Sequence, residues 1–157
     1  MMIPFSRKSM GKKKKIAIVS NTSWSVYNFR LGLIRRLQEI GYEISIIAPQ
    51  DNFSAKLVAE GFHFHHIYTN NYSTNPLNDL RTLFQLKRIY QKNKFDFIFH
   101  YTIKPNIYGT LAARWCKIPS IAITTGLGRL FSFNNKIVKF LSTKLYQIAA
   151  RYSQQVW

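Results

Sequence analysis

The sequence predicts an α/β domain built on a doubly wound parallel sheet. Three observations carry this. Short apolar runs alternate with segments of helical period along the whole chain. No hairpin signature joins one run to the next, so successive strands need crossover helices and run parallel. At 157 residues, with 46% hydrophobic and 18% charged residues, the chain is large enough to bury one substantial core and too apolar to be disordered.

Ile16 to Ser20 is an apolar run between a lysine cluster and the polar stretch Asn21-Thr22-Ser23, and reads as a buried first strand. A loop, Asn21 to Asn28, leads into a helix from Phe29 to Ile40, in which Leu33, Ile34, Leu37 and Ile40 keep helical spacing. Gly41 is its stop. Ile44 to Ala48 is a second strand, Ser54 to Glu60 a short helix closed by Gly61, and Phe62 to Tyr68 a third strand. Thr69 to Asn78, rich in Asn, Thr and Ser with Pro76, is loop by composition. A helix from Leu77 to Gln91 places Leu80, Leu83, Phe84 and Tyr90 on one side. Phe95 to His100 is a fourth strand. Asn106 to Cys116 is a helix whose Gly109, Ala112 and Ala113 permit close packing on a sheet, and Ser120 to Thr124 is a fifth strand. A final helix spans about Lys136 to Tyr152, with Ile137, Leu141, Leu145, Ile148 and Tyr152 along one side, and Val156 opens a sixth strand.

Lysine and arginine number 23 against 6 acids, a formal net charge of +17, which calls for anionic partners. Six of the cations, Arg7, Lys8 and Lys12 to Lys15, lie in an acid-free N-terminal stretch. Residues 1–14 are therefore expected to be a disordered basic tail, with Met10 an alternative start, and residues 15–157 the folded domain. Beyond the last acid, Asp96, come Lys104, Arg114, Lys117, Arg129, Lys136, Lys139, Lys144 and Arg151 with no acid among them. No apolar run approaches the roughly 20 residues that cross a bilayer, so membrane contact is expected to be peripheral. The single cysteine, Cys116, forms no internal disulfide, which suits a reducing cytoplasm.

Ligands of doubly wound sheets bind at the carboxyl ends of the strands where strand order reverses. That rule singles out two loops, Asn21 to Asn28 and His100 to Asn106, and the glycines after the fifth strand add a third. In the first, Ser25, Tyr27, Asn28 and Arg30 can bind an anion or a sugar at a helix N-terminus, or Ser25 or Asn28 simply caps that helix. It lacks the glycine-rich and Walker patterns for nucleotide phosphates. In the second, His100 is a candidate base or substrate hydrogen-bond donor, or a structural histidine, Lys104 a candidate phosphate ligand and Asn106 a polar contact, although no Asp or Cys nearby completes a triad. In the third, Thr125, Gly126 and Gly128 can bring backbone amides close to a ligand or form a plain turn. His63 and His65 share a strand face while His66 points away, so only two ligands converge and no metal is expected.

Taken in order, Ile16-Ala17-Ile18-Val19-Ser20, Ser25-Val26-Tyr27-Asn28-Phe29-Arg30, Gly41-Tyr42-Glu43-Ile44 with Ala48-Pro49, Lys104-Pro105-Asn106-Ile107-Tyr108-Gly109-Thr110-Leu111-Ala112-Ala113-Arg114, and Lys117-Ile118-Pro119 leading to Thr125-Gly126-Leu127-Gly128 resemble the N-terminal domain of family 4 glycosyltransferases. The similarity is to bacterial enzymes that extend lipid-linked oligosaccharides, capsules or O-antigens. It implies the Rossmann-like N-terminal half of a two-domain GT-B enzyme, retaining and metal-independent. The acceptor would lie on this half, and a nucleotide-sugar donor on a C-terminal domain, with its glutamate pair, that these 157 residues do not include. Many relatives carry a histidine in the loop after the fifth strand; here it reads Thr124-Thr125-Gly126-Leu127-Gly128, so no catalytic histidine carries over.

The expectation is thus an acceptor-binding half-enzyme with little activity alone and no cofactor of its own. Its partners would be a lipid-linked glycan, an anionic membrane surface and a separate C-terminal half, at the inner face of the cytoplasmic membrane. The competing reading is a non-catalytic basic Rossmann-like module that binds a partner protein, a membrane or nucleic acid. Nucleic acid is disfavoured because the aromatics are scattered through core elements and no recognition motif occurs.

Overall fold

A computed structural model of the chain describes residues 12–69 and 75–124 and, beyond them, 143–144, 147, 151 and 155–156. The strands are β1 (Lys15–Val19), β2 (Glu43–Ala48), β3 (His63–His66), β4 (Phe97–Tyr101), β5 (Ser120–Ile123) and the two-residue β6 (Gln155–Val156). The helices between them are α1 (Ser23–Glu39), α2 (Ser54–Ala59), α3 (Pro76–Asn93) and α4 (Thr110–Trp115), the last entered through a π-helical turn, Pro105–Gly109. Every strand pair is parallel and the order is β3-β2-β1-β4-β5-β6, so the winding reverses between β1 and β4. The predicted doubly wound Rossmann-like sheet is therefore present.

Alternation along the strands sorts the core into two layers. Ile16 and Ile18 of β1, level with Ile44 and Ile46 of β2, turn to the α1/α2 side and meet Val26, Ile34 and Leu57. Ala17 and Val19, with Ile47 and Ile98, turn to the α3/α4 side and meet Leu83, Leu86, Tyr90, Ala112 and Ala113. β1 is apolar on both faces because helices cover both, as parallel sheets require. Burying each of these isoleucines is worth about 1.5–3 kcal/mol.

Element bounds depart from expectation at one place that matters. α1 begins at Ser23, not Phe29, because Thr22 is its N-cap: the Thr22 hydroxyl accepts from Ser25 N at 3.1 Å. Two helical faces are also corrected. Only Ile34 of the α1 quartet is buried, while Leu33 and Ile40 are exposed; on α3, Leu83 and Tyr90 are buried while Leu80 and Phe84 face outward. Gly41 and Gly61 end α1 and α2 with φ of 104° and 88°, the left-handed conformation that glycine adopts without strain. Residues 1–11 of the basic tail and most of the final helix lie outside the described residues.

Candidate functional site

The reversal between β1 and β4 opens a mouth at their carboxyl ends, and the first turns of α1 line it with hydroxyls. Ser20 Oγ and Ser25 Oγ lie 2.9 Å apart; Ser23 Oγ donates to Pro49 O at 2.8 Å and lies 3.0 Å from Ser54 Oγ. These bonds tie the ends of β1 and β2 to the starts of α1 and α2. Polar side chains in the first turns of α1 are thus consumed in aligning the elements, which explains why this stretch has no apolar period.

Arg30 crosses the mouth. Its Nη1 donates to Ser25 O at 2.8 Å, and the guanidinium carbon stands 4.2 Å from the centre of the Tyr101 ring at the end of β4. Only 9% of the residue is exposed, and burial pulls its pKa down from the ordinary arginine value, though it stays a cation. Burial raises the Tyr101 phenol, and the adjacent Arg30 charge opposes that rise. Among the described residues, Arg30 Nε is buried with no hydrogen-bond partner. The next residue after β4, Thr102, has φ 74° and a buried Oγ1 that also lacks a partner among the described residues. A β-branched residue in that region is strained, and such strain concentrates at functional sites.

Of the second loop, Asn106 is 1% exposed and its Nδ2 donates to Ile123 O at 3.0 Å, which fastens the π-helical turn to the end of β5. Lys104 reaches instead to the first turn of α3, where its Nζ meets Asp79 Oδ1 at 2.6 Å and Tyr108 donates to Asp79 Oδ2 at 2.8 Å. Burial and then the Asp79 hydrogen bond push the Tyr108 phenol well above its usual range. Lys104, expected as a phosphate ligand, is thus ion-paired to Asp79 at this edge of the mouth.

His100 has no exposed surface. It turns to the α3/α4 side, with Nε2 3.0 Å from the Tyr90 hydroxyl and Nδ1 3.4 Å from Thr110 Oγ1, and burial lowers its pKa to about 3. A sealed, neutral ring between two helices is a packing residue; the expectation of a base at the mouth is corrected on that ground. Tyr27 and Asn28 lie on the outer part of α1: Tyr27 packs 5.4 Å from Phe53 and Asn28 Nδ2 donates to Trp24 O. The nearby carboxylate of Asp51 accepts from Trp24 N and Phe53 N. Thr125, Gly126 and Gly128 lie outside the described residues.

The mouth therefore brings together Ser25, Arg30 and Asn106 from the expected set, with Ser20, Tyr101 and Thr102 added. It offers hydroxyls, a buried cation and an aromatic face, a donor set for binding and orienting an anionic or hydroxyl-rich ligand. Asp79 was missed, though it is the sole acid between Glu60 and Asp96, and a lone acid in a cationic stretch is a partner to look for.

Residues 15–157 match the glycosyl transferase 4-like family. The chain is 31% identical over 145 residues to the Campylobacter jejuni N,N'-diacetylbacillosaminyl-diphospho-undecaprenol alpha-1,3-N-acetylgalactosaminyltransferase, covering 90% of this chain and 39% of that protein. Among solved structures, MurG of Acinetobacter baumannii superposes with a TM-score of 0.63 at 19% identity over 92% of this chain and 40% of its own. A UDP-N-acetylglucosamine 2-epimerase superposes with a TM-score of 0.67 at 18% identity, over 93% and 42% respectively. At such identities the two structures speak for the fold alone. The chain spans about two-fifths of the length of these relatives. With the family matched over residues 15–157, this chain belongs to the glycosyl transferase 4-like family.

Proposed function

We propose that this chain forms the acceptor-side, N-terminal half of a two-domain glycosyltransferase that moves a sugar from a nucleotide donor to a lipid-linked glycan with retention of configuration. The observation that carries the reading is its 31% identity to a transferase whose acceptor is a diphospho-undecaprenol-linked sugar. The mouth is consistent with that class of ligand: an uncommitted Nε on the buried Arg30 suits a diphosphate oxygen, and the Thr102 hydroxyl, also without a partner among the described residues, suits a sugar hydroxyl. The described residues of the mouth present groups that bind and orient rather than groups that move a proton. A second, donor-binding half then supplies the chemistry, so the chain alone binds acceptor and does not turn over.

The test is to incubate the purified chain with nucleotide-activated N-acetylgalactosamine and an undecaprenyl-diphosphate-linked sugar, alone and with a donor-binding half supplied in trans. Acceptor binding without transfer by the chain alone, and transfer once both halves are present, is expected. Sugar transfer by the chain unaided defeats the half-enzyme reading.

A further inference from the structure

Each of α1 to α4 is closed by a residue with positive φ. For α1 and α2 this is Gly41 or Gly61, but α3 closes on Lys94, φ 52°, and α4 is followed by Lys117, φ 56°. The hydrogen bonds at α4 repeat those at α1: Lys117 N donates to Arg114 O and Ile118 N to Ala113 O, as Gly41 N does to Gln38 O and Tyr42 N to Leu37 O. Glycine adopts such a conformation without strain and a residue with a Cβ does not, so a lysine there forgoes stability in favour of its side chain. A cation also complements a helix carboxyl end, yet α1 has Arg36 in its last turn and still closes on glycine. Lys94 and Lys117 share one further property. They border the same open groove, of 490 Å³, at the amino ends of β4 and β5.

Tyr90, Phe95 and Ile118 form the floor of the groove, and Trp115, 53% exposed, stands beside it with the Lys87 ammonium 5.1 Å from its ring centre. The floor is apolar, because Tyr90 turns its hydroxyl inward to His100. Among the described residues no carboxylate pairs with Lys87, Lys94 or Lys117. The acids of these 157 residues do not fill the groove. All six are engaged elsewhere, from Glu39 on Arg36 to Asp96 on the Lys15 amide, and none follows Asp96 in the sequence. Two copies of the chain, each at +17, repel. The groove therefore suits a different molecule, apolar where it meets the floor and anionic at the rim.

We propose that this groove docks an acidic segment of a partner protein, with an aromatic or aliphatic side chain seated against Trp115 and the floor and flanking carboxylates on Lys94 and Lys117. An exposed tryptophan beside an apolar floor is the kind of anchor site that dominates protein interfaces, and unneutralised charges at the rim select the partner and speed its arrival. A nucleotide fits less well. With the Tyr90 hydroxyl already engaged, the polar edge of a base on this floor would be buried unpaired. A compact phosphate cluster would also face the carboxyl ends of α3 and α4, where the helix dipoles are negative, whereas carboxylates spread along a peptide meet the lysine stems beyond those ends. The groove is concave, which a peptide side chain can enter and a flat bilayer cannot. It lies at the opposite end of the sheet from the mouth, so a partner can dock while the mouth is occupied, and the inference does not depend on sugar transfer.

The test is fluorescence anisotropy of labelled synthetic peptides, each with a phenylalanine or leucine between pairs of glutamates, titrated with the purified chain. Binding that weakens with salt, and that falls when the central residue is glycine or the glutamates are glutamines, is expected. Trp115→Ala should weaken binding roughly tenfold. Lys94→Gly and Lys117→Gly should each weaken it about two- to fivefold, the range of an exposed charge pair, without lowering the urea midpoint, since glycine takes a positive φ freely. Lys56→Gln on α2 removes a cation of the same sign far from the groove and, like removal of residues 1–11, should leave binding within about twofold. Failure of every peptide to bind overturns the proposal, as does an equal loss from Lys56→Gln or a loss confined to removal of residues 1–11. So do Lys94→Gly and Lys117→Gly proteins that bind unchanged, or that are both destabilised, which would mark the lysines as parts of the fold. Tighter binding of a nucleoside diphosphate or of phosphatidylglycerol vesicles than of the peptides, lost in Trp115→Ala, also overturns it.

Discussion

A methyl group added at Gly109 would stand 2.4 Å from Cδ2 and 2.6 Å from Nε2 of His100. The imidazole fills the space where a side chain would be, so β4 and the π-helical turn approach through this pair. Neither atom set is free to retreat: His100 is fully buried and its Nε2 is engaged by Tyr90. Gly109→Ala is expected to destabilise the domain by about 1–3 kcal/mol, the usual cost of overpacking. Gly32 in α1 has nothing within 4 Å of the same added atom, and Gly32→Ala should stabilise by roughly 0.5–1 kcal/mol. Urea denaturation of the two variants should move in opposite directions.

His100 also sets a pH dependence. Its folded pKa, about 3, lies below the ordinary histidine value of 6.5, so between those limits the unfolded chain binds a proton that the folded chain refuses. Stability at neutral pH carries no penalty and falls as pH drops through this window, by up to about 1.4 kcal/mol per unit from this one group. His65 is shifted in the same direction, chiefly by burial, and adds to the loss. His100→Gln should be less stable at pH 7, where the Tyr90 contact is disturbed, yet show a shallower fall between pH 6 and 4. Denaturation midpoints across that range check it; an unchanged slope would show that the ring accepts a proton without unfolding.

The alternation of strands and helices was legible because β1 and β2, buried on both faces, are short apolar runs, and each break is marked by glycine, proline or a polar cluster; the edge strand β3, His63–His66, is half-exposed and carries no such run. The mouth was legible as a place, from topology, and much less as a set of side chains. Ser23 and Ser25 look like loop residues because their hydroxyls bond across elements, to Pro49, Ser54 and Ser20, and no local period records such bonds. His100 and Lys104 sit where chemistry was expected, but strand alternation turns the first into the core and Asp79, 25 residues upstream, captures the second. The exposed side of α3 was misread for a related reason: Leu80 and Phe84 are apolar, and a periodicity argument assigns apolar residues to the core.

The Lys104–Asp79–Tyr108 cluster should be structural in magnitude. Both charged side chains are largely covered, at 17% and 15% exposure, so removing one partner strands the other in a poorly hydrated place. Lys104→Met and Asp79→Asn are each expected to cost about 1–3 kcal/mol. A double-mutant cycle should show coupling of about 0.5–3 kcal/mol, since the two share one network. Strictly additive effects would mean that the pair contributes nothing of its own.

Arg30 should not tolerate lysine. Its guanidinium donates to Ser25 O while stacking on Tyr101, and an ammonium cannot do both from one position. Arg30→Lys is expected to lower stability by about 1–2 kcal/mol through the lost hydrogen bond and ring contact. Tyr101→Leu should reduce that difference, because it removes the surface on which the planar group rests. Thermal unfolding of the four proteins of the cycle measures it.

Thr102 gives the converse expectation, a gain in stability from a change at the mouth. Its φ of 74° costs a β-branched residue about 1–2 kcal/mol, and glycine adopts that angle freely. Its Oγ1, buried with no partner among the described residues, adds a desolvation cost that glycine removes. Against this stands glycine's greater entropy in the unfolded chain, up to about 1 kcal/mol. The balance favours Thr102→Gly by roughly 1 kcal/mol in denaturation experiments. If the hydroxyl is held at this strained position to meet a ligand, the same variant should bind a lipid-linked diphosphate sugar more weakly while unfolding at a higher temperature. A Thr102→Gly protein that is both less stable and unchanged in binding would show that the strain is offset by contacts within the fold and serves no ligand.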